Sequence, residues 1–216
     1  MPENAAAGTV GDVRTMYEAY PYPSPTVGDT LIADVANSLY TIFGDDELSG
    51  KRILDAGCGT GALAVEAAQR GAEVVAIDVA GSLVEIARKR APQGLTIDWR
   101  VGDMLDPALG SFDHVVEMDS LIHYKAFDIV DVIRGLSDRT RKSMVFTFAP
   151  QTPLLMVALG MGRLFPRNDR SPAIIPVRER LLRTLITNAV PKAALGRDRK
   201  VSGGFYTSHA LEVLLG

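Results

Sequence analysis

Apolar and polar positions along this chain follow two different periods. In "GDTLIADVANSLYTIFG" (28–44), Leu31, Ile32, Val35, Leu39, Ile42 and Phe43 recur every three or four residues, the spacing of one helical face. From residue 51 the pattern changes to short apolar runs: "KRILDAG" (51–57), "AEVVAID" (72–78), "LTIDWRV" (95–101), "FDHVVEM" (112–118) and "SMVFTFA" (143–149). Runs this short, bounded by Gly, Asp or Pro, predict buried strands. Helical stretches lie between them: "GALAVEAAQRG" (61–71), "SLVEIARKR" (82–90) and "AFDIVDVIRGL" (126–136). The first is closed by Gly71 as a C-terminal cap. Strands alternating with helices across short loops predict a doubly wound α/β sheet, parallel in this part.

After Pro150 the alternation stops. An apolar helix over about 153–164 is followed by a Pro-rich connector, "FPRNDRSPAIIP" (165–176), and a helix, "VRERLLRTLITNA" (177–189). In "KVSGGFYTSHALEVLL" (200–215) two short strands form a hairpin at the sheet edge. There is no internal repeat, and 216 residues fit one domain spanning 1–216.

Composition narrows the setting. Cys58 is the only cysteine and cannot form an internal disulfide, which fits a reducing cytosol. No stretch reaches the roughly 18 apolar residues a spanning helix needs. The nearest, "TPLLMVALGMGRLF" (152–165), is interrupted by Arg163. The first dozen residues lack the basic start and long apolar run of a secretory leader. The formal charge of −3 is unevenly spread: residues 1–150 hold 13 Lys/Arg against 22 Asp/Glu, residues 151–216 hold 10 against 4. The basic final third is either a solvated face or an attraction for an anionic ligand, an acidic partner or an anionic membrane. The excess is too modest, in a chain acidic overall, to favour nucleic acid.

"LDAGCGTGA" (54–62) lies where the first strand meets the first helix. Gly57, Gly59 and Gly61 let the backbone turn tightly and approach a ligand closely. Gly57, Gly59 and Ala62 even satisfy the dinucleotide fingerprint G-x-G-x-x-G/A, yet two features argue against a pyrophosphate. Asp55, two residues before the first glycine, repels a pyrophosphate and attracts an amine or sulfonium. Asp103, in "VGDML" after the third strand, suits the amino group of an adenine. Asp78, ending the second strand, suits a ribose diol through two charge-assisted bonds. A ligand with a ribose, an adenine and a cationic amino-acid tail is S-adenosylmethionine (SAM).

A second cluster, "MDSLIHY" (118–124), puts an Asp, a Ser, a His and a Tyr at the end of the fourth strand, where ligands of α/β sheets sit. The set "LDAGCGTG … AID … GDML" resembles the class I SAM-dependent methyltransferases over residues 51–150. "FDHVVEMDSLIHY", "FTFAPQTPLL", "GRLFPRNDRSPAIIPV" and "VSGGFYTSHALEV" resemble a particular branch, the magnesium-protoporphyrin IX methyltransferases of bacteriochlorophyll synthesis. That resemblance implies a Rossmann-like, mostly parallel seven-stranded sheet with an antiparallel edge hairpin. It implies transfer of the SAM methyl to one propionate of the magnesium porphyrin, leaving S-adenosylhomocysteine.

The resemblance also implies roles. Asp55, Gly57, Gly59, Gly61, Asp78, Asp103, Met104 and Met118 form the cofactor set, and His123 is the catalytic candidate. The roles open to His123 are orienting the propionate, removing a residual proton, or ligating the porphyrin's magnesium. Asp119, Ser120 and Tyr124 are substrate candidates, with Leu121 and Ile122 packed below them, while His114 and His209 read as structural. Residues 151–190 form a covering insertion in which Leu154, Leu155, Met156, Leu159 and Met161 supply either a porphyrin wall or core. Arg163, Arg167 and Arg170 are suited to hold propionates. The first 45 residues depart from the family, and 1–28 read as a tail and lid. The family's N-terminal catalytic tyrosine has candidates in Tyr17, Tyr20 and Tyr22, with Tyr17 assigned; the alternative is an aromatic cluster pinning the N-terminus. No metal-ligand set appears, so magnesium arrives inside the substrate.

The expected setting is cytoplasmic, with peripheral contact at a photosynthetic membrane and with neighbouring pathway enzymes. Two other readings stay open: a class I methyltransferase for another small acceptor, and a tetrapyrrole- or SAM-binding module without turnover.

Overall fold

The computed structural model describes residues 48–153, 155–157, 174–203 and 206–216. The 28–44 helix lies outside them. In chain order the elements are β1 (Arg52–Ala56), α1 (Ala62–Gln69), β2 (Glu73–Asp78), α2 (Gly81–Arg90), β3 (Ile97–Val101), β4 (Phe112–Glu117), α3 (Ala126–Ser137), β5 (Thr140–Phe148), α4 (Glu179–Ala189), β6 (Ala194–Gly203) and β7 (Tyr206–Leu214).

Seven strands form one sheet in the order β3-β2-β1-β4-β5-β7-β6. The first five are mutually parallel, as the alternation predicts, and β7 runs antiparallel between β5 and β6. In β1 the four residues Ile53–Ala56 are all buried, and β2 is buried from Val74 to Asp78. Strands covered on both faces read as unbroken apolar runs, which is why these were legible. Alternate residues feed two cores. Leu54, Val75, Val115 and Met144 meet Ile129 and Ile133 of α3 and Leu182 of α4. Ile53, Val74, Val116 and Val145 meet Leu63 and Ala67 of α1 and Val84 of α2.

The hairpin differs from its expected span. It begins at Ala194 instead of 200, and its edge strand is β6, while β7 lies inside the sheet. The missed part of β6, "ALGRDR", carries alternating charges because an edge strand faces water and is protected by charge from pairing with another chain. Likewise β5 starts at Thr140, earlier than the apolar run at 143, because buried Thr140 is followed by exposed Arg141 and Lys142.

Two tethers bracket β5, one at its start and one just past its end. Arg139 donates to the carbonyls of Leu105 and Asp106, fastening the loop after β3 to the start of β5. Val177 donates to the Ala149 carbonyl, and Gln151 to that of Val177, at 2.8 and 2.9 Å, so both ends of the insertion leave from one point beside β5.

Candidate active site

Three glycines in the loop after β1 have left-handed φ angles of 73°, 52° and 84°, and each is there for a different reason. A Cβ on Gly57 would lie 2.5 Å from the Cβ of Ser120, so this glycine lets the loop after β4 pass directly against it. A Cβ on Gly61 would lie 2.5 Å from the Trp99 ring and 2.8 Å from Ala87. Gly61, assigned above to the cofactor, also lets α1 pack closely on α2 and β3. A Cβ on Gly59 would meet nothing within 4 Å, which leaves open space at the centre of the turn.

The loop amides point inward. Gly57 and Cys58 donate to the Ile77 carbonyl at 2.8 and 3.0 Å, Gly59 to Asp78 Oδ2 at 2.9 Å, and Gly61 to the Cys58 carbonyl at 2.9 Å. Backbone amides that cradle phosphate must face the ligand, so these four do not form a phosphate site. The reading against a pyrophosphate therefore has a geometric basis.

Acid dominates the same rim. Asp55 is 1% exposed, its Oδ2 has no hydrogen-bond partner, and burial followed by the charge of Asp78 pushes it up to about 8. Asp78 accepts from Gly59 at 2.9 Å and Ala80 at 2.8 Å; burial raises it, and these amides offset part of the rise. A buried carboxyl with one oxygen unpartnered, beside a second carboxyl, is costly until a cation arrives, and an ammonium or sulfonium there favours ionisation of both. The donor set thus fits the cationic tail of SAM. Asp103 lies exposed past β3, with Oδ1 capping the Leu105 amide at 2.8 Å, and Met104 packs on the core beside it. Met118, just past β4, packs on the other core. Parallel strands bring Asp55, Gly57, Gly59, Asp78, Asp103, Met104 and Met118 to one end of the sheet.

The loop after β4 holds the acceptor candidates. Asp119 has a left-handed φ of 51°; its amide donates to Thr147 Oγ1 at 2.7 Å, and its Oδ1 accepts from Thr147 at 3.1 Å and Ser208 at 3.4 Å. Ser120 follows, with a buried hydroxyl that lacks a partner. A 3-10 turn, Leu121–His123, buries Leu121 and Ile122 as expected and leaves His123 half-buried at its end. Tyr124 is half-buried, and burial with the charges of Glu117, Asp103, Asp128 and Asp78 pushes it up to about 12, so it is a neutral hydrogen-bond donor. Ile175, at the end of the Pro-rich connector, donates to the Ile122 carbonyl at 2.8 Å, tying the insertion to the His123 turn.

Glu117 was missed by sequence reading. It ends β4 at 1% exposure, neither carboxyl oxygen has a partner, and burial pushes it up to about 8. The only signal was an acid inside an apolar strand run. Of the wall candidates, Leu155 is core while Met156 is exposed. Tyr17, Tyr20, Tyr22, Leu154, Leu159, Met161, Arg163, Arg167 and Arg170 lie outside the described residues.

His114 and His209 are engaged structurally. His114 Nδ1 is 2.9 Å from Ser143 Oγ. His209 is fully buried, 2.8 Å from Asp198 and 3.4 Å from Glu179, with its ring 4.9 Å from that of Phe148. Glu179, Asp198 and His209 have metal-ligand chemistry, but Arg183 sits 3.0 Å and 3.2 Å from the two carboxylates and Lys200 2.9 Å from Glu179. Two cations already balance two anions, which makes the cluster an ion-pair network at the foot of α4.

Comparison with known proteins divides the chain at this loop. A family model described as a methyltransferase domain matches residues 53–143, and one described as the magnesium-protoporphyrin IX methyltransferase C-terminus matches 117–214. The chain is 48% identical over 169 residues to a magnesium-protoporphyrin O-methyltransferase of Rhodobacter capsulatus, covering 77% of this chain and 73% of that protein. It is 34% identical over 136 residues to the chloroplastic magnesium protoporphyrin IX methyltransferase of Arabidopsis thaliana, covering 61% of this chain and 43% of that one. The solved magnesium protoporphyrin IX methyltransferase from Synechocystis PCC 6803 with bound SAH has the same fold. Its TM-score is 0.79 at 24% identity, over 96% of this chain and 99% of that one. The chain belongs to the magnesium-protoporphyrin IX methyltransferase family, within the class I SAM-dependent methyltransferases.

Proposed function

We propose that the protein transfers a methyl group from SAM to a propionate carboxylate of magnesium-protoporphyrin IX, giving the monomethyl ester. The observation that carries this reading is the match of residues 117–214 to the porphyrin-specific family model, because that stretch begins at Glu117 and contains the whole acceptor loop. SAM supplies an electrophilic methyl on a cationic sulfur that leaves as a neutral thioether.

Asp55 and Asp78 draw the cationic tail to the glycine turn, and Gly59 leaves room for it. Asp103 and Met104 take the adenine, and Met118 lies between cofactor and acceptor. The acceptor carboxylate is ionised near neutral pH, so it needs orientation and loss of water more than deprotonation. His123 supplies a hydrogen bond that orients the attacking oxygen, and Tyr124, a neutral phenol, supplies a second. Tyr17 assists from the N-terminal lid, and Arg163, Arg167 and Arg170 hold propionates. Residues 1–216 act as one domain, with 151–190 covering the porphyrin.

Among the described residues no helix is long and apolar enough to cross a membrane. The reading places the protein in the cytoplasm, with peripheral contact at a photosynthetic membrane through exposed Met156 and Val157 and with neighbouring pathway enzymes. The test is incubation with SAM and magnesium-protoporphyrin IX, followed by mass spectrometry for a product one methyl heavier. SAM binding without ester formation would overturn the choice of acceptor.

A further inference from the structure

We propose that Asp119 and Thr147 form a latch that sets the position of His123, so that Asp119 is a positioning residue and does not bind substrate. This rests on the methyl-transfer reading above. Asp119 is the one non-glycine residue with positive φ among the described residues, a conformation L side chains avoid and Asp tolerates through local hydrogen bonds. The bonds that hold it form a closed ring. The Asp119 amide donates to Thr147 Oγ1 at 2.7 Å, and the Thr147 hydroxyl donates back to Asp119 Oδ1 at 3.1 Å. Ser208, from β7, donates to the same oxygen at 3.4 Å. Thr147 and Ser208 are 1% and 2% exposed, so the ring is shielded from competing water.

The left-handed residue redirects the chain at the end of β4. It lays Ser120 against Gly57 and starts the turn that ends in His123. Released to ordinary φ, residues 120–124 move as a unit relative to the glycine loop, and with them the acceptor-orienting imidazole. Thr147 stands between buried Phe146 and Phe148, and a Val there would fill the same volume; its hydroxyl has this loop as its partner. Substrate contact by Asp119 also conflicts with charge, since a carboxylate beside an anionic propionate repels it.

The test compares Thr147→Val, which removes the hydroxyl and keeps the shape, with Thr147→Ser, which keeps the hydroxyl. SAM affinity is measured by calorimetry, kcat and KM with magnesium-protoporphyrin IX, and deuterium exchange of residues 119–124 in the SAH-bound protein. Thr147→Val is expected to lower kcat at least tenfold and speed exchange in 119–124 at least tenfold, with KM and SAM affinity within threefold. Thr147→Ser restores both readouts to within threefold of the parent. An unchanged kcat and exchange in Thr147→Val overturns the latch, as does equal loss in both variants. A selective rise in KM in Thr147→Val, with kcat and exchange unchanged, shows that the loop acts through substrate binding and overturns the positioning role of Asp119. Should Thr147→Val fail to fold, Ser208→Ala reports through the same exchange readout, with faster exchange supporting the latch and unchanged exchange opposing it. If the parent forms no ester, the function proposed above fails, while exchange alone still decides the latch.

Discussion

Replacing Glu117 by Met is expected to stabilise the protein, by an amount that grows with pH. Glu117 ends the central strand β4 in register with Phe146, both carboxyl oxygens are buried without partners, and burial pushes the group up to about 8 from 4.5. A native pKa raised above the unfolded one means stability that is full below about pH 4.5 and is lost as pH rises towards 8, because the unfolded chain gives up the proton first. Each pH unit inside that window costs about 1.4 kcal/mol. Between pH 5.5 and 7.5 the parent should therefore lose roughly 2–3 kcal/mol more than the variant. Met has a similar length and adapts to irregular gaps, so its packing contribution does not vary with pH and cancels in the comparison.

Urea unfolding of parent and Glu117→Met at the two pH values measures the difference directly. Glu117→Gln is the control: it removes the same titration, so it shares the pH-dependent part, but buries an amide that lacks partners and starts from lower stability. Parallel stability curves for parent and Met variant would refute the reasoning, since they require Glu117 to titrate alike folded and unfolded. Any role of Glu117 in turnover is read separately, by rate, and does not enter the unfolding comparison.

His123→Ala should lower single-turnover ester formation by about a hundredfold or more while SAM affinity, by calorimetry, stays within twofold. Gly61→Ala should destabilise the fold by about 3 kcal/mol in urea unfolding, because its Cβ meets Trp99 and Ala87 at a left-handed φ of 84°. Gly59→Ala, with nothing within 4 Å of the added Cβ, should cost only about 1 kcal/mol of backbone strain yet weaken SAM binding at least tenfold by filling the turn.

The central strands and their helices were readable because both sheet faces are covered, so burial writes continuous apolar runs into β1, β2 and β4. The chemistry at their ends was readable for a related reason: acids at strand termini stand out against such runs, as Asp55 and Asp78 do. Glu117 escaped because, inside the run "FDHVVEM", a single acid reads as the approach to the loop, and nothing local shows that its carboxyl is buried without a partner. The early half of β6 escaped because an edge strand needs charge where an inner strand needs burial. The division of labour among the three glycines depends on which residues fold against them. Ser120 and Trp99 are 63 and 38 residues further along the chain from Gly57 and Gly61, and no local pattern encodes those encounters. The same holds for Asp119, whose partners Thr147 and Ser208 come from β5 and β7.

Glu117 and Asp55 are both pushed up to about 8, chiefly by burial, and cofactor binding should separate them. Asp55 has Asp78 beside it and the glycine turn ahead of it, so a bound cation reverses its electrostatics. In the free protein Asp55 stays protonated below about 8; with an ammonium or sulfonium alongside, it ionises at lower pH and binding releases a proton. Apparent SAM affinity should then rise with pH by up to about tenfold per unit, levelling near pH 8. Calorimetry at pH 6.5 and 7.5 in buffers of different ionisation enthalpy reads both the affinity and the proton released. Asp55→Asn should abolish the pH dependence and weaken SAM at pH 7.5, while stabilising the free protein by relieving the buried acid. An affinity flat across that range in the parent, or proton release surviving in Asp55→Asn, would mean that the cation is met by another group and that Asp55, like Glu117, is only a cost to the fold.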